Sequence, residues 1–225
     1  MVIYHFCNNT FGVPFQAVAA EFARAHKIRI VRVLSAHAGP SGWQVLRRGR
    51  RLLGAIYRRS KRLLRGAGPE PDDLPTLYVS DVNSPKFWRK IRRGDAAVIT
   101  GFNQIFSGET IGRFRSCINL HPSILPLYRG PVPTYWCIQN KERLSGFTFH
   151  QVTPQIDRGE PIYQQVVPIE DELAAVELER KIGCTAVPAF RRLLEYMAFG
   201  GEWTPQRVDA YQIYTTHQNY ASFPP

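Results

Sequence analysis

Asn119, His121 and Asp157 place an amide, an imidazole and a carboxylate in one region of the chain. These are the groups needed to move a one-carbon acyl unit onto an amine. Such a transfer passes through a tetrahedral intermediate bearing an oxyanion, so a site must hold negative charge and remove a proton from the attacking nitrogen. Asn119 can donate its side-chain amide to the oxyanion. His121 can do the same as a cation or donor tautomer, and can pass a proton to the leaving nitrogen. Asp157 can orient the imidazole, raise its pKa and fix its tautomer, and can take the amine proton directly or through a water. The Asn-Leu-His spacing puts two side chains on the same side of an extended segment, because strand periodicity is two. Pro122 and Pro126 then stiffen the loop. On residue types and spacing alone, Asn119 as a turn residue and His121 as a satisfied polar contact remain the plainer readings.

The surrounding string is longer than these three residues. Asn119-Leu-His-Pro-Ser-Ile-Leu-Pro-Leu-Tyr-Arg-Gly130 is followed by Gly146-Phe-Thr-Phe-His150 and Asp157-Arg-Gly159. In this the chain resembles the folate-dependent formyltransferases, whose motif reads Asn-x-His-Pro-Ser-x-Leu-Pro and then Asp-x-Gly. The resemblance implies a catalytic role for Asn119, His121 and Asp157, with N10-formyltetrahydrofolate as co-substrate and no metal. It places the folate beside the three groups, its pterin ring held largely by backbone. By position that role falls to Gly101, Phe102, Thr153 and Ile156, with Phe102 and Ile156 as apolar walls; ordinary core packing is the alternative for both. His150 aligns with a histidine often seen before the acidic turn and is read as structural. Tyr128 and Arg129 are the expected substrate-binding residues. The planar fork of Arg129 could meet an anionic substrate, or Arg129 is a surface arginine.

The short form with a Tyr-Arg-Gly loop and an aromatic tail looks most like the sugar N-formyltransferases, which implies a nucleotide-linked amino sugar as acceptor. Glycinamide ribonucleotide is the runner-up, but residues 8–12 lack the glycine-rich phosphate loop of that enzyme. They also lack a Gly-x-Gly-x-x-Gly pattern, so nothing supports a dinucleotide cofactor. Methionyl-tRNA enzymes carry a further carboxyl-terminal domain. About 25 residues follow Phe199, which makes tRNA a poor candidate despite the positive charge, and nucleic acid in general is a weaker choice because no recognition motif accompanies that charge. A reading of another class is a non-catalytic scaffold that binds an anionic partner.

These groups must be positioned by elements, and the sequence alternates strand and helix. Strands are expected at residues 2–7, 27–35, 76–80, 96–100 and up to Asn119. Helices are expected at 15–26, 42–65, 85–93, 109–114 and 132–140. Two extended strands, 145–152 and 161–169, flank a turn at 155–159, and a long helical region covers 171–199. The pattern predicts an α/β fold, a Rossmann-like, mostly parallel sheet covered on both faces. In such sheets ligands bind at the carboxyl ends of strands, and Asn119 lies at one. The expected organisation is a catalytic domain over 1–203 and a short aromatic tail over 204–225. That tail makes a homodimer contact or packs on its own domain.

At 225 residues and 44% hydrophobic content, the chain is long enough to bury a core without disulfides or metal. Its four cysteines show no close pairing, and Cys117 and Cys137 sit in apolar runs that suit buried thiols. No signal peptide opens the chain and no run approaches the ~20 apolar residues of a membrane span, so a cytoplasmic location is expected. The net charge of +11 is uneven. No acidic residue lies between Phe22 and Pro69, and nine of the 29 Lys and Arg residues fall between Gln44 and Gly66; the other 20 nearly balance the 18 acidic residues. With Leu, Ile and Tyr between the arginines, that segment reads as an amphipathic basic helix. It suits a sheet-covering helix, a docking surface for a diphosphate-bearing substrate, or contact with an anionic membrane surface.

Overall fold

Short runs of Val, Ile, Ala and aromatic residues are buried on both faces, and this drives them into the interior of one sheet. The structure, a computed structural model, describes residues 1–8, 10–36 and 74–215. Its strands are β1 (Val2–Phe6), β2 (Arg29–Ser35), β3 (Thr76–Val79), β4 (Ala96–Thr100), β5 (Ser116–His121), β6 (Leu144–Gln151) and β7 (Pro161–Pro168). Among the described residues they form one sheet in the order β3-β2-β1-β4-β5-β6-β7. β1 to β5 pair in parallel, whereas β6 and β7 join the edge antiparallel. The helices are α1 (Val13–His26), α2 (Pro85–Trp88), α3 (Gly108–Ile111), α4 (Pro133–Gln139), α5 (Ala175–Phe199) and α6 (Ala210–Ile213).

The two faces have separate cores, and the period-two alternation of β1 feeds both. Ile3 joins Phe15, Phe22 and Phe190 on the face covered by α1 and α5. Tyr4 and Phe6 turn the other way, onto Val33, Phe87, Ile99 and Phe114. In α5 the buried residues Leu178, Ile182, Ala186, Phe190, Leu193 and Met197 follow helical spacing, which gives the helix its one apolar stripe.

The α/β, mostly parallel sheet expected from the sequence is the observed fold. Element ends differ where caps act. Ser84 caps α2, which stops at Trp88 instead of continuing to residue 93. Ser107 starts α3 one residue early, and the Glu177 carboxylate accepts from the Ala174 N–H, so α5 begins at residue 175. The basic helix expected at 42–65 lies outside the described residues, as does the tail beyond 215. Cys7, Cys117 and Cys137 are buried free thiols and Cys184 is exposed. Among the described residues no helix is long and apolar enough to cross a membrane.

Residues 204–215, placed in a tail by the sequence, lie on the domain itself. Gln206 bridges to Tyr163 of β7, the Val208 N–H donates to Gln164 Oε1, and Tyr214 is buried in the main core.

Candidate active site

β5 delivers two of the three groups at its carboxyl end. Alternation turns Cys117, Asn119 and His121 to one face, while Ile118 and Leu120 enter the α1/α5 core. The third group arrives through the antiparallel edge. Asn119 pairs with His150 across β5 and β6, so the amide Nδ2 lies 3.1 Å from His150 Nε2. The turn after β6 then folds back. Gly159 allows this, because a Cβ there would stand 1.6 Å from the Gln151 carbonyl oxygen. Asp157, in the left-handed region at φ 50°, comes to rest with Oδ2 3.4 Å from His121 Nδ1 and Oδ1 3.5 Å from His150 Nε2. Asp tolerates that backbone conformation better than most residues.

The loop 122–130 holds the other sides of these groups. The Gly130 N–H donates to Asp157 Oδ2 at 2.8 Å, and Arg129 Nε donates to the Asp157 carbonyl at 2.9 Å. His121 Nε2 lies 2.8 Å from the Tyr128 carbonyl oxygen, which accepts only, so Nε2 carries the proton and Nδ1 faces Asp157. His150 Nδ1 likewise donates to the Gln151 carbonyl at 2.8 Å, leaving Nε2 to accept one Asn119 amide hydrogen. The second amide hydrogen of Asn119 remains for another acceptor.

Burial pushes the His121 pKa below its ordinary value; Asp157 and the Tyr128 carbonyl pull the other way, and His150 and Arg129 add to the lowering. For Asp157, burial opposes ionisation, yet His121, His150 and the Gly130 N–H outweigh it and hold the carboxyl well below the usual range. The two directions pull against each other, since a neutral imidazole stabilises a carboxylate less than a cation does. The carboxylate also rests on a backbone N–H, and His121 is only 4% exposed. The resting site is therefore a carboxylate beside a neutral imidazole with its Nδ1 lone pair available.

The structure brings together Asn119, His121 and Asp157. Gly101 and Phe102 follow β4, whose Ile99 pairs with Asn119. Phe102 is half-buried against Phe6 and Phe106 and packs on the second core. Thr153 donates its hydroxyl to the Gln155 carbonyl and shapes the acidic turn. Ile156 is 49% exposed at the tip of that turn and walls nothing in this state. Val152, which the sequence did not single out, packs against the same cluster as Phe102. Backbone edges at Gly101 and 153–156 beside half-buried apolar side chains suit a flat ring with polar edges.

Tyr128 is a correction. Its side chain is fully buried, and its hydroxyl donates to Glu142 at 2.6 Å, so it does not present itself to a substrate; the loop reverses at this residue, with φ 55°, and turns the ring inward. Arg129 borders the site through Asp157 as described. His150 touches both Asn119 and Asp157, a closer engagement than a purely structural histidine requires. An open groove of about 420 Å³, lined by His26, Arg192, Tyr196, Phe199 and Trp203 among others, lies where α1 and α5 end and contains none of the three groups.

Residues 15–192 match the model of the formyl transferase family. The chain belongs to the formyl transferase family. A methionyl-tRNA formyltransferase from Acetivibrio thermocellus is 31% identical over 127 residues, which are 55% of this chain and 41% of that relative. A second, from Moorella thermoacetica, is 31% identical over 128 residues, again 41% of its length, so the chain spans about two fifths of the curated relatives it matches. Among solved structures, a sugar N-formyltransferase from Shewanella superimposes with a TM-score of 0.63 at 19% identity, covering 93% of this chain and 73% of that one. A phosphoribosylglycinamide formyltransferase from Coxiella burnetii gives 0.62 at 18% identity, covering 89% and 88%. At these identities the two structures speak for the formyltransferase fold.

Proposed function

We propose that this chain transfers a formyl group from N10-formyltetrahydrofolate to a primary amine, and that the amine belongs to a nucleotide-linked amino sugar. The observation that carries the reaction is the convergence of Asn119, His121 and Asp157, each held by a hydrogen bond from or to the frame. The amine nitrogen attacks the formyl carbon, and the free Asn119 N–H faces the charge that develops on the formyl oxygen. His121 Nδ1 takes the ammonium proton, and the Asp157 carboxylate stabilises the imidazolium that results. The same proton goes to the departing nitrogen of the folate as the carbon–nitrogen bond breaks, leaving an N-formyl amine and tetrahydrofolate.

The acceptor assignment draws support from charge. Among the described residues Arg129 spends its Nε on the Asp157 carbonyl, and Arg158 is exposed on the same turn. Two guanidinium groups beside the carboxylate suit a phosphate-bearing acceptor. A second reading, methionyl-tRNA, is favoured by the names of the curated relatives and by the nine cations between Gln44 and Gly66.

The test is purified protein with N10-formyltetrahydrofolate and a panel of nucleotide-linked amino sugars, glycinamide ribonucleotide and methionyl-tRNA, read by mass spectrometry, with His121→Asn as control. A gain of about 28 Da on an amino sugar, the mass of a formyl group less the hydrogen it replaces, that His121→Asn does not produce supports the proposal. Gain only on tRNA or on the ribonucleotide overturns the acceptor, and undiminished gain with His121→Asn overturns the mechanism.

A further inference from the structure

Behind the reacting groups lies a second polar cluster, buried and out of reach of any substrate. Glu142 is 3% exposed and sits at its centre. Its Oε1 accepts from the Tyr128 hydroxyl at 2.6 Å, while Oε2 accepts from both the backbone N–H and the hydroxyl of Thr215, at 2.6 and 2.8 Å. Asn140 donates to the same Tyr128 oxygen at 3.0 Å. The Tyr214 ring meets the Tyr128 ring at 4.6 Å, edge to face, and the Tyr214 hydroxyl accepts from the Ile124 N–H at 2.8 Å.

These contacts fall on both ends of the loop that completes the site. Ile124 is near its start. Tyr128 is near its end, and the Tyr128 carbonyl receives the His121 Nε2 proton, with Ser123 Oγ as a further donor at 3.3 Å. Tyr128 also has φ 55°, a conformation that a bulky aromatic residue adopts only where its surroundings impose it. The grip of Glu142 on the hydroxyl and of Tyr214 on the ring supplies that imposition. A buried carboxylate is costly unless its lone pairs are satisfied, and here three donors from distant parts of the chain meet it.

We propose that Glu142 is a positioning residue for His121, acting through Tyr128, and that residues 206–215 form a brace that locks the catalytic loop from behind. The brace fixes where the Tyr128 carbonyl points, and through it the orientation and tautomer of the imidazole that faces Asp157. This rests on the reading of His121 as the proton-carrying group; the groups around its ring, Asp157, His150 and Arg129, are untouched by the variants below.

The test is long-range 1H–15N NMR of the His121 ring, which needs no acceptor, together with kcat and KM once an acceptor is known. Tyr128→Phe removes one hydroxyl while leaving the ring to fill its space. In that variant the His121 Nε2 proton should exchange about tenfold faster or more, and the titration midpoint of the ring should fall, because the carbonyl that favours the protonated ring is no longer fixed. The kcat should fall about tenfold with KM for the formyl donor unchanged, the pattern of lost positioning. Glu142→Gln keeps one acceptor oxygen for Tyr128 but sets an amide NH2 against the two Thr215 donors, so its His121 exchange and kcat should fall between those of Tyr128→Phe and the parent. Should Tyr128→Phe fail to fold, Thr215→Val, which loses a single donor, decides in its place. Unchanged His121 spectra in the folded variant overturn the proposal, whatever the acceptor panel returns; failure of the panel alone bears on the reaction and not on the brace.

Discussion

Gly159→Ala tests how finely Asp157 is placed. The added Cβ would stand 1.6 Å from the Gln151 carbonyl oxygen and 2.6 Å from its carbonyl carbon, both backbone atoms of β6 that cannot swing aside. Because side-chain carbons essentially never come within 3.0 Å of such atoms, the turn must retreat by at least about 1.4 Å, the difference between that limit and 1.6 Å. Asp157 lies two residues away, with its oxygens 3.4 and 3.5 Å from His121 and His150. A retreat of that size carries both contacts beyond the range of an ion pair. A displacement of about 1 Å at a reacting group costs on the order of 10²-fold in rate, about 2.7 kcal/mol in the barrier. The turn is mostly exposed, so the fold should survive, with only a modest fall in melting temperature. Single-turnover formyl transfer followed by mass spectrometry, beside thermal denaturation by circular dichroism, reads both quantities. A folded Gly159→Ala protein with kcat within threefold of the parent would refute the reasoning that Asp157 must sit where the turn now places it.

Other expectations follow from the same geometry. Because His121 works from its neutral form, kcat/KM should be flat above neutral pH and fall as pH drops through a pKa below the ordinary histidine value; Asp157→Asn should move that midpoint lower still, since the carboxylate is what pulls it up. His5 is fully buried beside Thr100, and burial, with Arg32, lowers its pKa to about 3. The unfolded chain therefore binds a proton there that the folded chain refuses, and stability should fall below pH 6.5 by about 1.4 kcal/mol per pH unit from this group. Urea midpoints at pH 7 and pH 5 should differ less in His5→Gln than in the parent. In α5, a Cβ at Gly183 would meet the Phe11 ring at 3.5 Å, an ordinary contact, so Gly183→Ala should raise stability by roughly 0.5–1 kcal/mol and leave activity unchanged.

Much of the frame was legible because hydrophobic periodicity carries it. The alternation of Ile3, Tyr4 and Phe6, and the helical spacing of α1 and α5, announce a sheet covered on two faces. Asn119 and His121 could be placed at a strand end, since period two fixes their common side. What the sequence could not show depends on pairing between distant segments. The Asn119–His150 contact needs the register of β5 against β6, and a slip of one residue would send His150 to the other face. Tyr128 was misassigned because a positive φ turns its ring inward, and nothing in a Leu-Tyr-Arg-Gly string signals that. The 203/204 boundary fell a few residues past the end of helical periodicity at Phe199, yet Tyr214 and Thr215 bond to a loop some 90 and a turn some 73 positions earlier.

The brace also sets an order of events during synthesis. A ribosome releases the amino end first, so a chain grown to Phe199 already contains the amide, the imidazole and the carboxylate of the site. At that length the Ile124 N–H lacks its Tyr214 acceptor, and Glu142 lacks both donors of Thr215. The catalytic loop is left without its rear support until the last described residues emerge. Competence thus waits for residues 206–215, and a product terminated before them would carry the motif without the machinery.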